Sequence, residues 1–104
     1  MDDDLLQEFA EVHRLAVITD ELEGVARRRE FLLRRAAVQD RFARLYPTDA
    51  SAAKVAGQFA RALLAYDVEA GSSAGPLGAV DEAWADRPRL YVRQEYEAWT
   101  SDDA

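Results

Sequence analysis

The residues with the clearest chemical pattern are arginines in the middle of the chain. Arg27, Arg34 and Arg41 are spaced by seven residues, and Arg28 and Arg35 have the same spacing. On a continuous helix these five residues, here called the arginine stripe, form two adjacent rows. Guanidinium groups bind carboxylates and phosphates through paired hydrogen bonds. The stripe therefore predicts a surface for an anion or an acidic partner, unless the protein's own acids neutralise it.

Other side chains offer less chemistry. His13 is the single histidine, but the residues three and four positions away on a helix, Phe9, Ala10, Ala16 and Val17, supply no carboxylate to orient its ring. The sequence contains no Glu-x-x-His pair, phosphate-binding glycine loop, nucleophile motif or cysteine. We therefore predict no catalytic residues, no metal site and no cofactor.

Charge is segregated along the chain. Residues 1–26 hold eight acids and one arginine (net −7), residues 27–46 seven arginines and two acids (net +5), and residues 47–104 ten acids and five bases (net −5), for a total of −7. A net negative protein repels nucleic acids and anionic membranes, so we expect neither as a partner. Because no apolar run is long enough to span a bilayer and the acidic start is unlike a secretory signal, we expect a cytoplasmic protein.

A long proline-free segment, residues 4–46, precedes Pro47. Its apolar residues recur every three or four positions, which is helical periodicity, and proline disfavours continuation of a helix because it lacks the backbone donor. We predict one continuous amphipathic helix here. At roughly 1.5 Å per residue it would form a rod of about 63 Å, too long for a compact domain of this size.

The alternative is a break near residues 19–24. Asp20 and Glu23 fit a helix N-cap with its reciprocal acid, and Gly24 is unfavourable in a helix interior. A continuous rod would need a second chain to cover its N-terminal apolar stripe, whereas a break would allow one chain to close into a bundle. Helix continuity therefore decides between an antiparallel coiled-coil dimer and a single-chain helical bundle.

The remaining sequence predicts two or three shorter helices and completes an all-α fold in a single domain, residues 1–104. Thr48 or Asp49 can cap the next helix, small residues including Ala56 favour close packing of its axis on a neighbour, and Gly71 can end it.

The segments after this helix are shorter. We predict a flexible loop at 71–75, a short helix from Pro76 to Trp84, a last helix from Pro88 to Thr100, and a short disordered tail at 101–104.

Apolar residues supply a candidate interface. In an antiparallel pair of long helices, the acidic segment of one chain would lie beside the basic segment of the other, and the opposite charges would fix direction and register. We therefore expect a homodimer or a complex with another protein. The predicted interface residues are Leu5, Phe9, Val12, Leu15, Trp84, Tyr91, Tyr96 and Trp99.

The order of a long first helix, a capped second and a third ending near residue 100 resembles the layout of the all-helical chorismate mutases, which are intertwined dimers. Arg14 and Arg28 can be compared with that family's carboxylate-binding arginines, and Gln94 with its third-helix glutamine. The sequence departs from the family at its Arg-Glu pair, where residues 50–53 are Ala-Ser-Ala-Ala, and at its first-helix lysine, which has no match near Gln39. The resemblance implies an architecture and no chorismate mutase activity.

Taken together, these patterns predict a noncatalytic helical protein–protein interaction module, a small adaptor or regulator that self-associates. The use of twelve arginines and one lysine indicates a GC-rich bacterial genome. The alternative is an anion-binding or small-ligand-binding protein, or a small enzyme, that uses Arg27, Arg34 and Arg41 in a pocket between helices.

Overall fold

The described part of the chain folds into four α-helices. The computed structural model describes residues 3–18 and 27–102. The helices are α1 (Asp3–Ile18), α2 (Arg28–Leu45), α3 (Ala50–Ala70) and α4 (Pro88–Asp102), and a short 3₁₀ turn occupies Glu82–Trp84. The described residues contain no strand, and the predicted all-α class is confirmed. None of the described helices is long and apolar enough to cross a membrane.

The first two helices fold back on each other. Glu8 Oε1 lies 3.1 Å from Arg34 Nη2, although one continuous helix would place these residues about 39 Å apart. The longest dimension of the molecule is 34 Å, which cannot hold the predicted rod. A single helix over residues 4–46 is therefore wrong, and two antiparallel helices replace it. The predicted break at 19–24 lies outside the described residues.

Folding back gives the apolar stripe of α1 a cover from the same chain. Leu5 and Leu15 are completely buried and Val12 is nearly so, while Phe9 meets Phe42 of α2 edge-on with ring centroids 6.0 Å apart. Removing these side chains from water is the main driving force for the hairpin. The acidic first segment and the basic second segment thus meet within one chain, and the coiled-coil dimer stays a prediction.

The α2 and α3 helices form a second hairpin. As predicted, α2 ends before Pro47 and Asp49 caps α3, its carboxylate accepting the Ala52 backbone N–H at 3.0 Å. Gly71 ends α3 in the left-handed conformation, with φ of 63°, which glycine adopts without steric cost. The small residues Ala52, Ala56 and Ala60 are buried, in agreement with the close packing expected of them.

The helix predicted from Pro76 to Trp84 is wrong, because only Glu82–Trp84 forms a 3₁₀ turn. Two backbone groups that a helix would pair internally bind side chains instead: Ala79 N–H donates to the Ser73 hydroxyl at 2.9 Å, and Gly78 O accepts the Trp84 ring N–H at 2.9 Å. This segment packs along the first half of α4, where Tyr91, Gln94 and Glu95 bind it, and its flexibility at 71–75 stays a prediction.

The fourth helix closes the bundle against α2 and α3. It begins at Pro88 as predicted and buries Tyr91, whose ring lies edge-on to Trp84 at 5.4 Å. Ser101 and Asp102 belong to this helix, so only residues 103 and 104 of the predicted disordered tail lie outside the described part of the chain.

Candidate functional site

The arginine stripe does not form a continuous surface in the folded chain. Arg34 donates to Glu8 of α1, and its guanidinium carbon lies 5.3 Å from the centre of the Trp99 ring. It therefore holds α1 and α4 on α2. Arg27 and Arg28 are exposed at the start of α2.

Arg35 takes up a different position, among aromatic rings. Its guanidinium carbon lies 4.0 Å from the centre of the Phe59 ring and 5.0 Å from that of Phe31. Its Nε atom is buried without a hydrogen-bond partner in the described structure. Burial, with a smaller contribution from the like charge of Arg28, lowers the pKa of Arg35. This cation is held by packing and not by a carboxylate.

Arg35 lies in a groove between α1 and α3. These two helices both pack on α2, but no described Cα atom of one lies within 8 Å of a Cα atom of the other, and the space between them measures about 360 Å³. We call it the α1/α3 groove. Its lining residues are Phe9, Val12, His13, Ala16, Phe31, Arg35, Val38, Gln39 and Phe59.

A first buried ionic cluster joins α2, α3 and α4; we call Arg29, Asp67, Tyr91 and Glu95 the closed cluster. Arg29 binds both Asp67 oxygens at 2.8 Å and donates to Glu95 Oε1 at 2.7 Å, and the Tyr91 hydroxyl donates to Asp67 at 2.5 Å. Both carboxylates are completely buried.

The closed cluster also holds the segment after α3. Glu95 accepts backbone N–H groups from Ala74 and Gly75, and Asp67 accepts the Ser72 hydroxyl. Burial raises the pKa of Asp67, but hydrogen bonds from Arg29, Tyr91 and Ser72 outweigh it and keep this pKa below the usual value. Burial, followed by the bond to Asp67, raises the pKa of Tyr91. These bonds satisfy the two carboxylates, which indicates a structural role.

A second cluster joins α2 and α4; we call Asp40, Arg44, Arg89 and Arg93 the open cluster. Arg89 Nε donates to Asp40 at 2.7 Å, Arg93 donates through two nitrogens at 2.9 and 3.0 Å, and Arg44 lies 3.9 Å away. Asp40 is buried, which raises its pKa, yet the hydrogen bonds from Arg93 and Arg89 lower it overall. Several cations here share one carboxylate.

The open cluster borders a cavity of about 290 Å³ between α2 and α4. Arg41, the last member of the arginine stripe, also lines it and forms no ion pair within the described structure. We call this space the α2/α4 cavity. Its lining residues are Ala37, Asp40, Arg41, Arg44, Val92, Arg93, Tyr96, Glu97 and Thr100.

The predicted interface residues lie mainly inside the bundle. Leu5, Leu15 and Tyr91 are completely buried, and Val12 and Trp84 are nearly so. The remaining three, Phe9, Tyr96 and Trp99, are partly buried. An interface role for the buried residues stays a prediction, and it would require helices to separate.

His13 is exposed at the edge of the α1/α3 groove, and no described residue hydrogen-bonds to its ring. No group of three or more His, Asp or Glu side chains in the described ranges is arranged to hold a metal ion.

Sequence reasoning missed the buried carboxylates Asp40, Asp67 and Glu95. A signal was present: Asp67 lies four residues after Leu63 and Asp40 four after Ala36, both at core positions of the helical repeat. A carboxylate at a core position indicates a buried partner, because a buried charge is costly unless it is paired. The identity of the partner depends on the tertiary fold.

Comparisons with known protein families, with curated proteins and with solved structures found no significant match to this chain.

Proposed function

We propose that this protein is a noncatalytic helical module, a small adaptor or regulator, that binds an acidic amphipathic helix of another protein in the α1/α3 groove. The observation that carries the proposal is Arg35, a cation placed on aromatic rings in an apolar groove without a carboxylate partner in the described structure.

The lining of the groove fits a helix partner. Phe9 of α1, Phe31 of α2 and Phe59 of α3 present aromatic side chains to one space. Helices bind in such grooves through apolar residues spaced by three, four and seven positions. Aromatic residues and arginine are also enriched where binding energy concentrates at protein interfaces.

The charge of the groove favours an acidic partner. Among the described residues, the three buried carboxylates, Asp40, Asp67 and Glu95, all have arginine partners. Arg35 has no carboxylate partner in this part of the chain, and Arg28 lies near enough to act on it as a like charge. A glutamate or aspartate at the margin of a bound helix would accept hydrogen bonds from the terminal nitrogens of the Arg35 guanidinium, which donate to no described residue.

The test uses synthetic amphipathic helices with leucines on one face and glutamates at its margin, compared with peptides in which lysines replace the glutamates. Isotope-labelled protein is titrated with each peptide and followed by nuclear magnetic resonance. We expect the acidic peptide to shift the amide signals of Val12, Gln39 and Phe59, and the lysine peptide to bind at least about tenfold more weakly.

Arg35→Gln should remove this preference, and Arg35→Lys should restore part of it because the charge returns without the planar fork. Arg61→Gln, at an exposed position on α3, is the matched control and should behave like the wild type. Thermal unfolding verifies that each variant is folded.

Equal binding of both peptides, or signal shifts outside the groove, would overturn the proposal. The groove could instead be filled by a second copy of this chain, which light scattering at micromolar concentration tests. A dimer that depends on Arg35 would show that a second copy, and not another protein, occupies the groove.

A further inference from the structure

The α2/α4 cavity lies on a different face of α2 and does not share a lining residue with the α1/α3 groove. Ala37 and Val92 provide apolar lining, and arginines from both helices border it. Its volume of about 290 Å³ is at the small end of the range for ligand pockets, about 300–1,000 Å³. It suits a small metabolite and not a large cofactor.

The charges around the cavity are unbalanced. Arg41 has no ion pair in the described part of the chain, and Arg44 lies 3.9 Å from Asp40 with 59% of its side chain exposed. Arg93 is fixed in place by Asp40, whose second firm partner is Arg89. The arginines that line the cavity, Arg41, Arg44 and Arg93, with the carboxylates of Asp40 and Glu97, give a local charge of +1 in a protein of net charge −7.

Arg41 and Arg44 have no carboxylate within hydrogen-bond distance in the described structure, so they offer two positive charges to a phosphate monoester, which is close to a dianion at neutral pH. Arginine forks bind phosphate oxygens in pairs. The Tyr96 hydroxyl also lines the cavity and has no hydrogen-bond partner in the described structure, so it can donate to a further oxygen.

Glu97 gives the cavity a second kind of recognition. Its carboxylate lines the same space and is exposed, and it would repel a bare anion. A carboxylate accepts hydrogen bonds from hydroxyl groups, so it suits the polar, uncharged part of a ligand. The cavity lining therefore carries two kinds of charged group: arginines for a phosphate, and an acid for hydroxyls.

We propose that the α2/α4 cavity binds a small hydroxylated phosphate monoester of the sugar phosphate class, with the phosphate on Arg41, Arg44 and Arg93 and a ligand hydroxyl on Glu97. This site is independent of the helix-binding groove.

The experiment titrates isotope-labelled protein with ribose 5-phosphate, ribose, inorganic phosphate and sodium chloride at matched ionic strength. Ribose 5-phosphate should shift the amide signals of Arg44, Val92, Arg93 and Thr100. Inorganic phosphate should bind more weakly, and ribose and chloride should not bind.

Three variants assign the roles. Arg41→Gln and Arg44→Gln should each weaken ribose 5-phosphate binding about tenfold, since each removes a charge-assisted contact. Glu97→Gln should tighten the binding of inorganic phosphate and so reduce the ratio by which ribose 5-phosphate binds more tightly than inorganic phosphate. Arg61→Gln, an exposed arginine outside the cavity, is the control. Neither Arg41 nor Arg44 has a firm partner, so these variants should fold, which thermal unfolding checks.

The proposal is overturned if Arg41→Gln and Arg44→Gln bind like the wild type, if Arg61→Gln loses as much affinity, or if inorganic phosphate binds as tightly as ribose 5-phosphate. The peptide titrations of the α1/α3 groove have separate signals and a separate key residue, so failure of one proposal is distinguishable from failure of the other.

Discussion

The closed and open clusters both pair carboxylates with guanidinium groups, but carboxylates are in excess in the closed cluster and guanidinium groups are in excess in the open cluster. In the closed cluster, two buried carboxylates meet one guanidinium, that of Arg29, and the remaining acceptor capacity goes to a tyrosine hydroxyl and backbone N–H groups. In the open cluster, one buried carboxylate, that of Asp40, meets two close guanidinium groups and a third at 3.9 Å.

This difference separates a structural role from a binding role. A carboxylate accepts hydrogen bonds and does not donate them, so its excess capacity can be filled by backbone N–H groups of the same chain. An arginine only donates, and Arg41 and Arg44, which line the α2/α4 cavity, have no acceptor within hydrogen-bond distance in the described structure. The closed cluster therefore stabilises the fold, and the open cluster leaves donors for a ligand.

The largest effect is expected from breaking the closed cluster. Asp67→Ala removes a carboxylate that Arg29 binds through two nitrogens, and it leaves the buried Tyr91 hydroxyl without its acceptor. We expect the free energy of unfolding to fall by about 3–5 kcal/mol, measured by urea denaturation. Glu69→Ala, exposed on the same helix, should change it by less than about 0.5 kcal/mol. A loss of under about 1 kcal/mol for Asp67→Ala would refute a structural role.

A smaller effect is expected from the open cluster. In Asp40→Asn, Arg89 and Arg93 lose their carboxylate, but their side chains are 27% and 40% exposed and can turn to water. We expect a loss of about 1–2 kcal/mol in the free energy of unfolding.

Adding ribose 5-phosphate sharpens the comparison between the clusters. The ligand should restore part of the stability lost in Asp40→Asn, because its phosphate can take the place of the missing carboxylate. In Asp67→Ala the ligand should raise the stability by no more than it does in the wild type. Thermal unfolding with and without the ligand measures both. Equal extra recovery in the two variants would contradict the assignment of the ligand to the open cluster.

The smallest difference is expected in the response to acid. The pKa values of Asp40 and Asp67 are both below the usual value in the folded protein. Each ionised carboxylate therefore contributes stability above about pH 4, and the contribution is lost as the pH falls through the lowered pKa. The free energy of unfolding should decrease from pH 5 towards pH 2, and less steeply in Asp40→Asn than in the wild type. Identical slopes would show that Asp40 has an ordinary pKa in the fold.

Much of the secondary structure follows from local signals. The cap at Asp49, the left-handed Gly71 and the stop before Pro47 each depend on a few neighbouring residues, and all three predictions are confirmed. The helix predicted from Pro76 is wrong. Ala79 N–H donates to the Ser73 hydroxyl, and Glu95 and Gln94 hold the segment on α4 by accepting from Gly75 and Leu77 N–H. A local signal cannot include contacts with residues so far along the chain.

The candidate sites also combine a local pattern that the sequence shows with contacts that only the fold creates. The repeat of arginines was visible in the sequence, but the fold divides them: Arg34 pairs with Glu8, Arg35 enters the α1/α3 groove, and Arg41 borders the α2/α4 cavity. A seven-residue spacing places side chains on one side of a helix without specifying which neighbouring helix each one meets.

An all-α chain, the ends of its middle helices and its division into acidic and basic segments follow from the sequence alone, because these properties depend on residue type and on neighbours within a few positions. The return of the acidic segment onto the basic one, and the arginine partners of the buried carboxylates of Asp40, Asp67 and Glu95, follow only from the fold. Charge pairing depends on distances between helices, which no spacing along the chain encodes.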